Sequence, residues 1–386
     1  MTHITLLGVI YAAFISLGLP DSVLGVAWPG MRAGLEQPLE AAGLVTLILT
    51  LCSAVSGFAS GYVLRRLGTG RVVSISGWMT GLALLGFSLA PSFGWILWLT
   101  IPLGLGAGAV DAGLNHFVAR HYDARHMNWL HGCWGIGATV GPFVMGAALL
   151  GDAGWRGGYQ TIALMQMALA LVFVLSLRLW QREPVRSATS GHDAVGSARK
   201  SDIPPWAPWL AAMLYFVYTA IELGTGLWAA SILVDGRGME PAAAGFRVSC
   251  FFGSIMLGRF AIGLVAARVG NRALVRHGIT LAAVGAVLFS LPWFPKVLSL
   301  PALILLGLGC APIYPSLMHE ATRRFDADLA RRVIGRQVAF AYLGCAIGPA
   351  ALGLLGAWWG LWAIMPAIAL ALLLLLFMVR RLDRVT

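Results

Sequence analysis

The feature that most constrains the fold of this chain is a succession of apolar stretches, each about 20 residues long. A helix of that length matches the hydrocarbon thickness of a bilayer. Charged residues make up only 11% of the chain, against about 25% in an ordinary soluble domain. The apolar stretches are continuous, whereas the strands of a transmembrane barrel alternate apolar and polar residues. The sequence therefore predicts an all-α integral membrane protein.

Twelve transmembrane helices are predicted, in two groups of six. A long polar interval at 181–205, rich in Ser, Gly, Pro and charge, is typical of a flexible linker. It divides the chain into an N-terminal six-helix bundle, 1–180, and a C-terminal six-helix bundle, 206–386. The predicted spans are approximately 4–28, 41–64, 71–91, 94–118, 129–150, 159–180, 206–233, 242–267, 273–292, 298–321, 333–355 and 357–379.

The distribution of basic residues predicts the orientation. With both termini in the cytoplasm, 20 of the 27 Lys and Arg residues lie in cytoplasmic segments and four lie on the opposite side. Positive residues favour the cytoplasmic side of a bilayer, where they also contact anionic lipids. The net charge of +11 is therefore a topology signal and does not indicate nucleic-acid binding. The N-terminus lacks a signal-peptide pattern, so we expect a multi-pass inner-membrane protein with a retained first span.

The two halves repeat four motifs in the same order and register. Parallel six-span repeats predict a substrate site between the halves, near the middle of the bilayer. The glycine runs predict close helix packing, and Pro142 and Pro349 predict softened or kinked helices. The matched motifs are Gly61-x4-Arg66-x-Gly68 with Gly263-x4-Arg268-x-Gly270, Leu103-Gly-Leu-Gly106 with Leu306-Gly-Leu-Gly309, Arg120-x2-Asp123 with Arg323-x2-Asp326, and Gly137-x3-Gly141-Pro142 with Gly344-x3-Gly348-Pro349.

Three carboxylates lie well inside spans: Asp21, Asp111 and Glu222. A charged carboxylate in hydrocarbon costs about 2.5–3.5 kcal/mol on insertion scales, so each is a functional hypothesis. Asp21 and Glu222 occupy matching places in spans 1 and 7, four residues before Gly25 and Gly226. The repeat predicts that they lie on opposite walls of one cavity, where a partly desolvated carboxylate can exchange protons. The alternative for each is a packing role, bonded to a neighbouring helix.

Asp111 belongs to a second polar group. Asn115 lies one turn further along span 4, and Asn128 and His131 begin span 5 at the same depth. These four residues predict a cluster at the inner gate, with Asp111 as a third proton-binding acid or as a hydrogen-bond acceptor that holds the gate. A purely structural network between spans 4 and 5 is an equal alternative. No metal-ligand spacing or nucleophile–base pair is present, so neither a metal site nor an enzyme is predicted.

Aromatic and amide side chains near the span centres are the candidate substrate-binding groups. Flat aromatic faces pack on the C–H surfaces of sugars, and amides bond hydroxyl groups. Interfacial aromatic belts are the alternative explanation for many of the 15 tryptophans. Arg259 is expected near the cytoplasmic end of span 8, too shallow to require an anionic substrate. The candidates are Trp28, Trp134, Trp228, Tyr314, Asn115, Gln166 and Gln337.

The twelve spans, the central linker and the glycine–arginine loop signatures resemble the major facilitator superfamily. Members usually carry an aspartate just before the basic residue of the loop, where this chain has Arg65 and Ala267. Several short elements also look like the fucose-permease-type sugar:proton symporters. These elements are Asp21-Ser22-x2-Gly25, Asp111-x3-Asn115, Asn128-x2-His131 and Glu222-x3-Gly226-x-Trp228.

The resemblance implies a secondary active transporter that works by alternating access. We expect a monomer that imports a small polar solute, a sugar or a related compound, with the proton gradient as driving force and no cofactor. A proton-driven drug or metabolite exporter is the alternative, because Gly137-x3-Gly141-Pro142 resembles the antiporter motif of that class. The glycine expected upstream of that motif is replaced by Asn128.

Overall fold

The computed structural model describes residues 2–122, 124–180, 203–291 and 295–386, and within these ranges the chain is helical and contains no strand. Short π- and 3-10 turns extend or precede some of the helices. The α-helices are α1 (Thr2–Asp21), α2 (Val23–Gly34), α3 (Ala41–Leu67), α4 (Thr69–Ser88), α5 (Phe93–His121), α6 (Ala124–Ala148), α7 (Gly154–Leu175), α8 (Leu177–Trp180), α9 (Ala207–Ser231), α10 (Pro241–Val269), α11 (Asn271–Ser290), α12 (Ser299–Cys310), α13 (Ile313–Arg324), α14 (Ala327–Trp359) and α15 (Ile364–Asp383).

These helices form twelve consecutive segments in the described ranges, because α1 continues into α2, α7 into α8 and α12 into α13. Ten of the described segments are long and apolar enough to cross a membrane. The other two, α4 and α6, lie at the predicted third and fifth spans. The prediction of an all-α membrane fold is confirmed.

Two segments are interrupted where the sequence predicts continuous spans. Ser22 separates α1 from α2, and the turn at Ala311-Pro312 separates α12 from α13. Proline has no backbone N–H to continue the hydrogen-bond ladder, which accounts for the second interruption and weakens the helix at Pro20 just before the first. The first interruption places Asp21 at the very end of α1.

Contacts between residues divide the chain into two compact units. The first unit comprises Met1–Gly191 with Glu240–Ser249, and the second comprises His192–Met239 with Cys250–Thr386. Most of the predicted linker at 181–205 lies outside the described residues, so the predicted boundaries of the two bundles stay a prediction.

The same helix pairs pack within each unit. In the first unit α1 packs on α6 and α4 on α7, and in the second α9 packs on α14 and α11 on α15. These are the first and fifth, and the third and sixth, spans of each half. The repeated motifs therefore correspond to a repeated three-dimensional arrangement.

Two glycines at the ends of repeated helices have backbone angles that other residues rarely adopt. Gly68 follows α3 with φ +78° and Gly270 follows α10 with φ +81°. A side chain in this region is strained, whereas glycine adopts it freely. The matching angles explain why the loop signature carries glycine at the same place in both halves.

Arg324, at the end of α13, is expected to be essential for the stability of the second unit. Its side chain is 3% exposed and forms ion pairs with Glu320 and Asp383. Arg324→Ala leaves two largely buried carboxylates without this partner, so we expect a loss of about 3–5 kcal/mol of unfolding free energy. Its neighbour Arg323 is 64% exposed and 3.7 Å from Glu320. Arg323→Ala is the matched control, with an expected loss of at most about 1 kcal/mol.

Thermal unfolding of the purified variants in detergent measures both effects. A similar fall in melting temperature for the two variants would contradict the assignment of Arg324 as the buried member of this network.

Candidate functional site

Asp21 is an accessible carboxylate within the first membrane segment. It ends α1, its side chain is exposed, and Trp134 of α6 donates an indole hydrogen bond to its Oδ2 at 2.9 Å. Asp111 is close enough for the charges of the two acids to interact. The first unit therefore brings together three of the predicted residues from three different helices.

The glycine run of α6 sets the position of Asp21. A Cβ on Gly137 would lie 2.1 Å from the carbonyl oxygen of Ile15, and one on Gly141 would lie 2.4 Å from that of Leu19. Only glycine permits the backbones of α1 and α6 to approach this closely. The Ser22 hydroxyl then donates to the Ala138 carbonyl at 2.8 Å. These contacts hold the end of α1 against α6.

Two members of the predicted inner-gate cluster are in direct contact. The amide of Asn115 donates to Asp111 Oδ1 at 2.9 Å, so these two residues of α5 are paired. His131 is exposed and lies edge-on to the ring of Phe14 of α1, with ring centroids 5.6 Å apart. The side chain of Asn128 lies outside the described residues, so its part in the cluster stays a prediction.

Gln166 is buried in the first unit beside a small cavity. It is 2% exposed, and its Nε2 donates to the hydroxyl of Thr80 at 2.8 Å. Its Oε1 is buried and has no hydrogen-bond partner. Ser16 and Thr80 also line the cavity, among apolar side chains. Gln166 therefore stays a candidate for solute binding, in a cavity that is mostly apolar.

Trp28 and Trp228 have the same kind of environment in their respective units. Both are fully buried, at 0% exposure. Trp28 donates to the Leu39 carbonyl at 2.9 Å, and Trp228 donates to the Pro349 carbonyl at 2.8 Å. Each indole is packed on both faces and its N–H is bonded to a backbone carbonyl. The structure therefore favours a packing role over solute contact for both tryptophans.

Glu222, the predicted partner acid in the second unit, is ion-paired. The Nη2 of Arg259, on α10, donates to Glu222 Oε1 at 3.0 Å, and the exposed fractions of the two side chains are 19% and 7%. The expectation that Arg259 reaches the cytoplasmic end of its span is wrong, because its guanidinium meets the carboxylate in the interior. A buried charge needs such a partner.

Tyr218 and Tyr314 lie close to this ion pair, and Tyr215 packs on Tyr314. Tyr218, one turn before Glu222 on α9, donates its hydroxyl to the Cys310 carbonyl at 3.0 Å. Tyr215 donates to the Tyr314 carbonyl at 2.8 Å, and its ring lies edge-on to that of Tyr314 at 4.8 Å. These bonds hold the interrupted turn between α12 and α13 against α9. Tyr314, a predicted solute-binding residue, is half-buried beside them.

The glycine run of α14 packs on α9 as that of α6 packs on α1. A Cβ on Gly344 would lie 2.3 Å from the Phe216 carbonyl oxygen, and one on Gly348 would lie 2.3 Å from the Ala220 side chain. The Thr219 hydroxyl donates to the Ala341 carbonyl at 2.9 Å. Gln337, also on α14, is 2% exposed and has a buried Oε1 without a hydrogen-bond partner.

The loop-signature residues lie away from the carboxylates. Gly61 has only the end of the Arg65 side chain near its Cβ position, and Arg66 lies over the Tyr62 ring at 4.7 Å. Arg268 is exposed. The surroundings of Gly263 lie outside the described residues. Pro142 and Pro349 lie inside α6 and α14 without ending either helix.

Arg259, Tyr215 and Tyr218 are the site residues that sequence reasoning missed. Tyr215, Tyr218 and Glu222 are spaced i, i+3 and i+7, which places them on one face of α9. The two tyrosines could therefore have been found from the sequence. The partner of Arg259 could not, because 37 residues separate it from Glu222. Among the described residues, no group of three or more His, Cys, Asp or Glu is placed to hold a metal ion.

Comparisons with known proteins agree with this architecture. The sequence profile of the Major Facilitator Superfamily matches residues 10–349. An uncharacterized MFS-type transporter of Yersinia pestis is 22% identical over 346 residues, which cover 88% of this chain and 86% of the relative.

Two further matches carry functional names. The cis,cis-muconate transport protein of Acinetobacter baylyi is 24% identical over 366 residues, which cover 89% of this chain and 86% of that protein. The crystal structure of the nucleoside transporter NupG superposes with a TM-score of 0.76 at 15% identity and covers 100% of both chains. The structural likeness concerns the fold.

Proposed function

The chain belongs to the Major Facilitator Superfamily, and from that membership we propose that this secondary transporter moves a small polar solute across the inner membrane together with protons. The solute is a sugar or a related compound. Transport proceeds by alternating access of the halves 1–180 and 206–386 in a monomer with both termini in the cytoplasm. The proton gradient supplies the driving force.

The observation that carries proton coupling is the placement of Asp21. Its carboxylate lies in a membrane segment, remains accessible and takes a hydrogen bond from Trp134. An accessible acid can exchange protons with water while the surrounding helix keeps its structure. Asp111, whose charge interacts with that of Asp21, is the second acid of this unit. Glu222 is the acid of the other unit, and its protonation requires the ion pair with Arg259 to open.

A small polar solute is supported from two directions. One relative is named for muconate transport and one structural neighbour is titled a nucleoside transporter, and both compounds are small and polar. Within this chain, Trp134 and Tyr314 are half-buried aromatics beside charged or hydroxyl groups. Such pairs of flat rings and polar groups suit a sugar ring or a compound of similar shape.

Uptake into proteoliposomes tests this function. The purified protein is reconstituted, a proton gradient is imposed with the lumen alkaline, and radiolabelled sugars, sugar acids and lipophilic cations are offered in turn. If the protein is a symporter, a polar solute should accumulate inside, and a protonophore should abolish this accumulation. Adding the solute without an imposed gradient should make the external medium more alkaline. Transport of lipophilic cations against the proton flow, without any response to polar solutes, would favour the exporter instead.

A further inference from the structure

We propose that Arg259 binds a carboxylate group of the transported solute, which replaces Glu222 as the partner of the guanidinium while Glu222 takes up a proton. This inference rests on the proposed proton-coupled transport and adds the substrate class, a solute that carries an organic acid group. It assigns Arg259 as a binding residue and Glu222, in addition to Asp21, as a group that binds a proton during transport.

The geometry of the ion pair permits such an exchange. Arg259 Nη2 is 3.0 Å from Glu222 Oε1, and the Arg259 side chain is the more accessible partner, with 19% exposure against 7%. A guanidinium carries five N–H donors in a planar fork that matches a carboxylate with two parallel hydrogen bonds. An incoming carboxylate therefore offers the arginine the same chemistry as Glu222.

Charge balance favours an acidic solute over a neutral one. In the structure the negative Glu222 and the positive Arg259 cancel. If Glu222 takes a proton and the solute is neutral, the charge of Arg259 is left uncompensated in a membrane interior, which is unfavourable. If the solute brings a carboxylate, the protonated Glu222, the arginine and the anion again sum to zero. One proton and one negative charge then bind together.

The other groups that face the pair are weak acids, and none supplies a second fixed charge. They are Tyr218 of α9, Cys310 of α12 and Tyr314 of α13. The Tyr218 hydroxyl donates to the Cys310 carbonyl at 3.0 Å and also lies close to Glu222 and Arg259. Tyr314 is half-buried and presents an aromatic side chain close to Arg259. Among the described residues around Arg259, Glu222 is therefore the charged acid that an incoming anion would displace from the guanidinium.

A competing explanation is that the pair only fastens α9 to α10. The two explanations differ in what happens when the Glu222 charge is removed. If the pair is purely structural, Glu222→Gln should be less stable than the wild type and should show no gain in affinity for carboxylates. The exchange predicts that Glu222→Gln removes an internal competitor, so that carboxylates bind more tightly.

The first experiment measures ligand-dependent thermal stabilisation of the purified protein with matched probes. The pairs are D-galacturonate with D-galactose and 3-hydroxybutyrate with 1,3-butanediol, so that each singly charged acid has a neutral counterpart of similar size. We expect at least one acid, and neither neutral compound, to raise the melting temperature of the wild type. The apparent Kd of that acid should be lower at pH 6 than at pH 8, because one proton binds with each anion.

Two variants test the exchange itself. Glu222→Gln is expected to bind the acid at least tenfold more tightly than the wild type at pH 8, with no dependence on pH. The double variant Glu222→Gln with Arg259→Gln removes both charges, which avoids an unpaired ion and keeps the protein foldable. It should unfold at a temperature near that of the wild type and lose the response to acids.

The outcomes separate this inference from the proposed function. Equal responses to acids and neutral compounds, no response to either acid, or unchanged affinity in Glu222→Gln would each overturn it. Proteoliposome uptake of the same four probes completes the test. Proton-linked uptake of D-galactose by the wild type would support the proposed function. It would contradict the inference that the solute must carry a carboxylate. The absence of any proton-linked uptake would count against both.

Discussion

Replacing Asp21 with asparagine is expected to abolish proton-driven accumulation of solute, with a loss of more than tenfold in the steady-state level inside proteoliposomes. The amide keeps an oxygen that can accept the hydrogen bond from Trp134, now at 2.9 Å from Asp21 Oδ2, so the local structure should survive. The asparagine amide cannot bind a proton at the pH of the assay, so solute transport is no longer coupled to proton movement. Exchange of labelled for unlabelled solute at equal concentrations, which needs no net proton movement, should persist.

Asp152→Asn is the matched control for this experiment. Asp152 is an exposed acid in the loop before α7 and belongs to the same unit. Its replacement removes the same charge far from the proposed proton site, so accumulation should match the wild type. If Asp21→Asn still concentrates solute and responds to a protonophore, Asp21 is not required for coupling, and Glu222 and Asp111 become the candidates.

Gly344→Ala is expected to destabilise the second unit by about 1–3 kcal/mol, because the added methyl group overpacks the contact between α9 and α14. The Cβ would lie 2.2 Å from the Thr219 hydroxyl and 2.3 Å from the Phe216 carbonyl oxygen. Since the second atom belongs to the backbone, the two helices must separate. Glu222 lies one turn further along α9, so transport should fall as well.

Gly335→Ala provides the control on the same helix. The space around its Cβ position is open to 4 Å, and alanine is favoured over glycine in a helix interior by about 0.5–1 kcal/mol. The two substitutions should therefore shift the melting temperature in opposite directions. A rise of equal size at both positions would show that helix propensity, and not the close approach of α14 to α9, governs the glycine run.

Much of the architecture follows from the sequence because the bilayer imposes it. The hydrocarbon thickness sets the length of each apolar run, and the lack of water forces the backbone into helices. Repeated motifs such as Gly68 with Gly270 carry the internal symmetry, since each glycine meets the same backbone requirement. The interruptions at Ser22 and Pro312 were less readable, because proline within a membrane helix is compatible with both continuation and a break.

Only part of the candidate site could be predicted from the sequence, because the sequence does not show in which direction each side chain points. A position near the centre of an apolar span gives the depth of a residue but not the face of the helix that carries it. Trp28 and Trp228 satisfy the sequence criterion for solute contact, yet both are fully buried with their N–H groups bonded to carbonyls. Trp134 satisfies the same criterion and meets a carboxylate.

The sequence by itself determined that this chain crosses a membrane as two repeated groups of helices with acids inside, because hydropathy and a costly charge are properties of single residues and short windows. Only the tertiary structure decided which groups those acids meet. Asp21 takes a hydrogen bond from an indole and remains accessible, whereas Glu222 forms an ion pair with Arg259. Such pairings join residues distant in the chain through the packing of whole helices, and no local pattern encodes them.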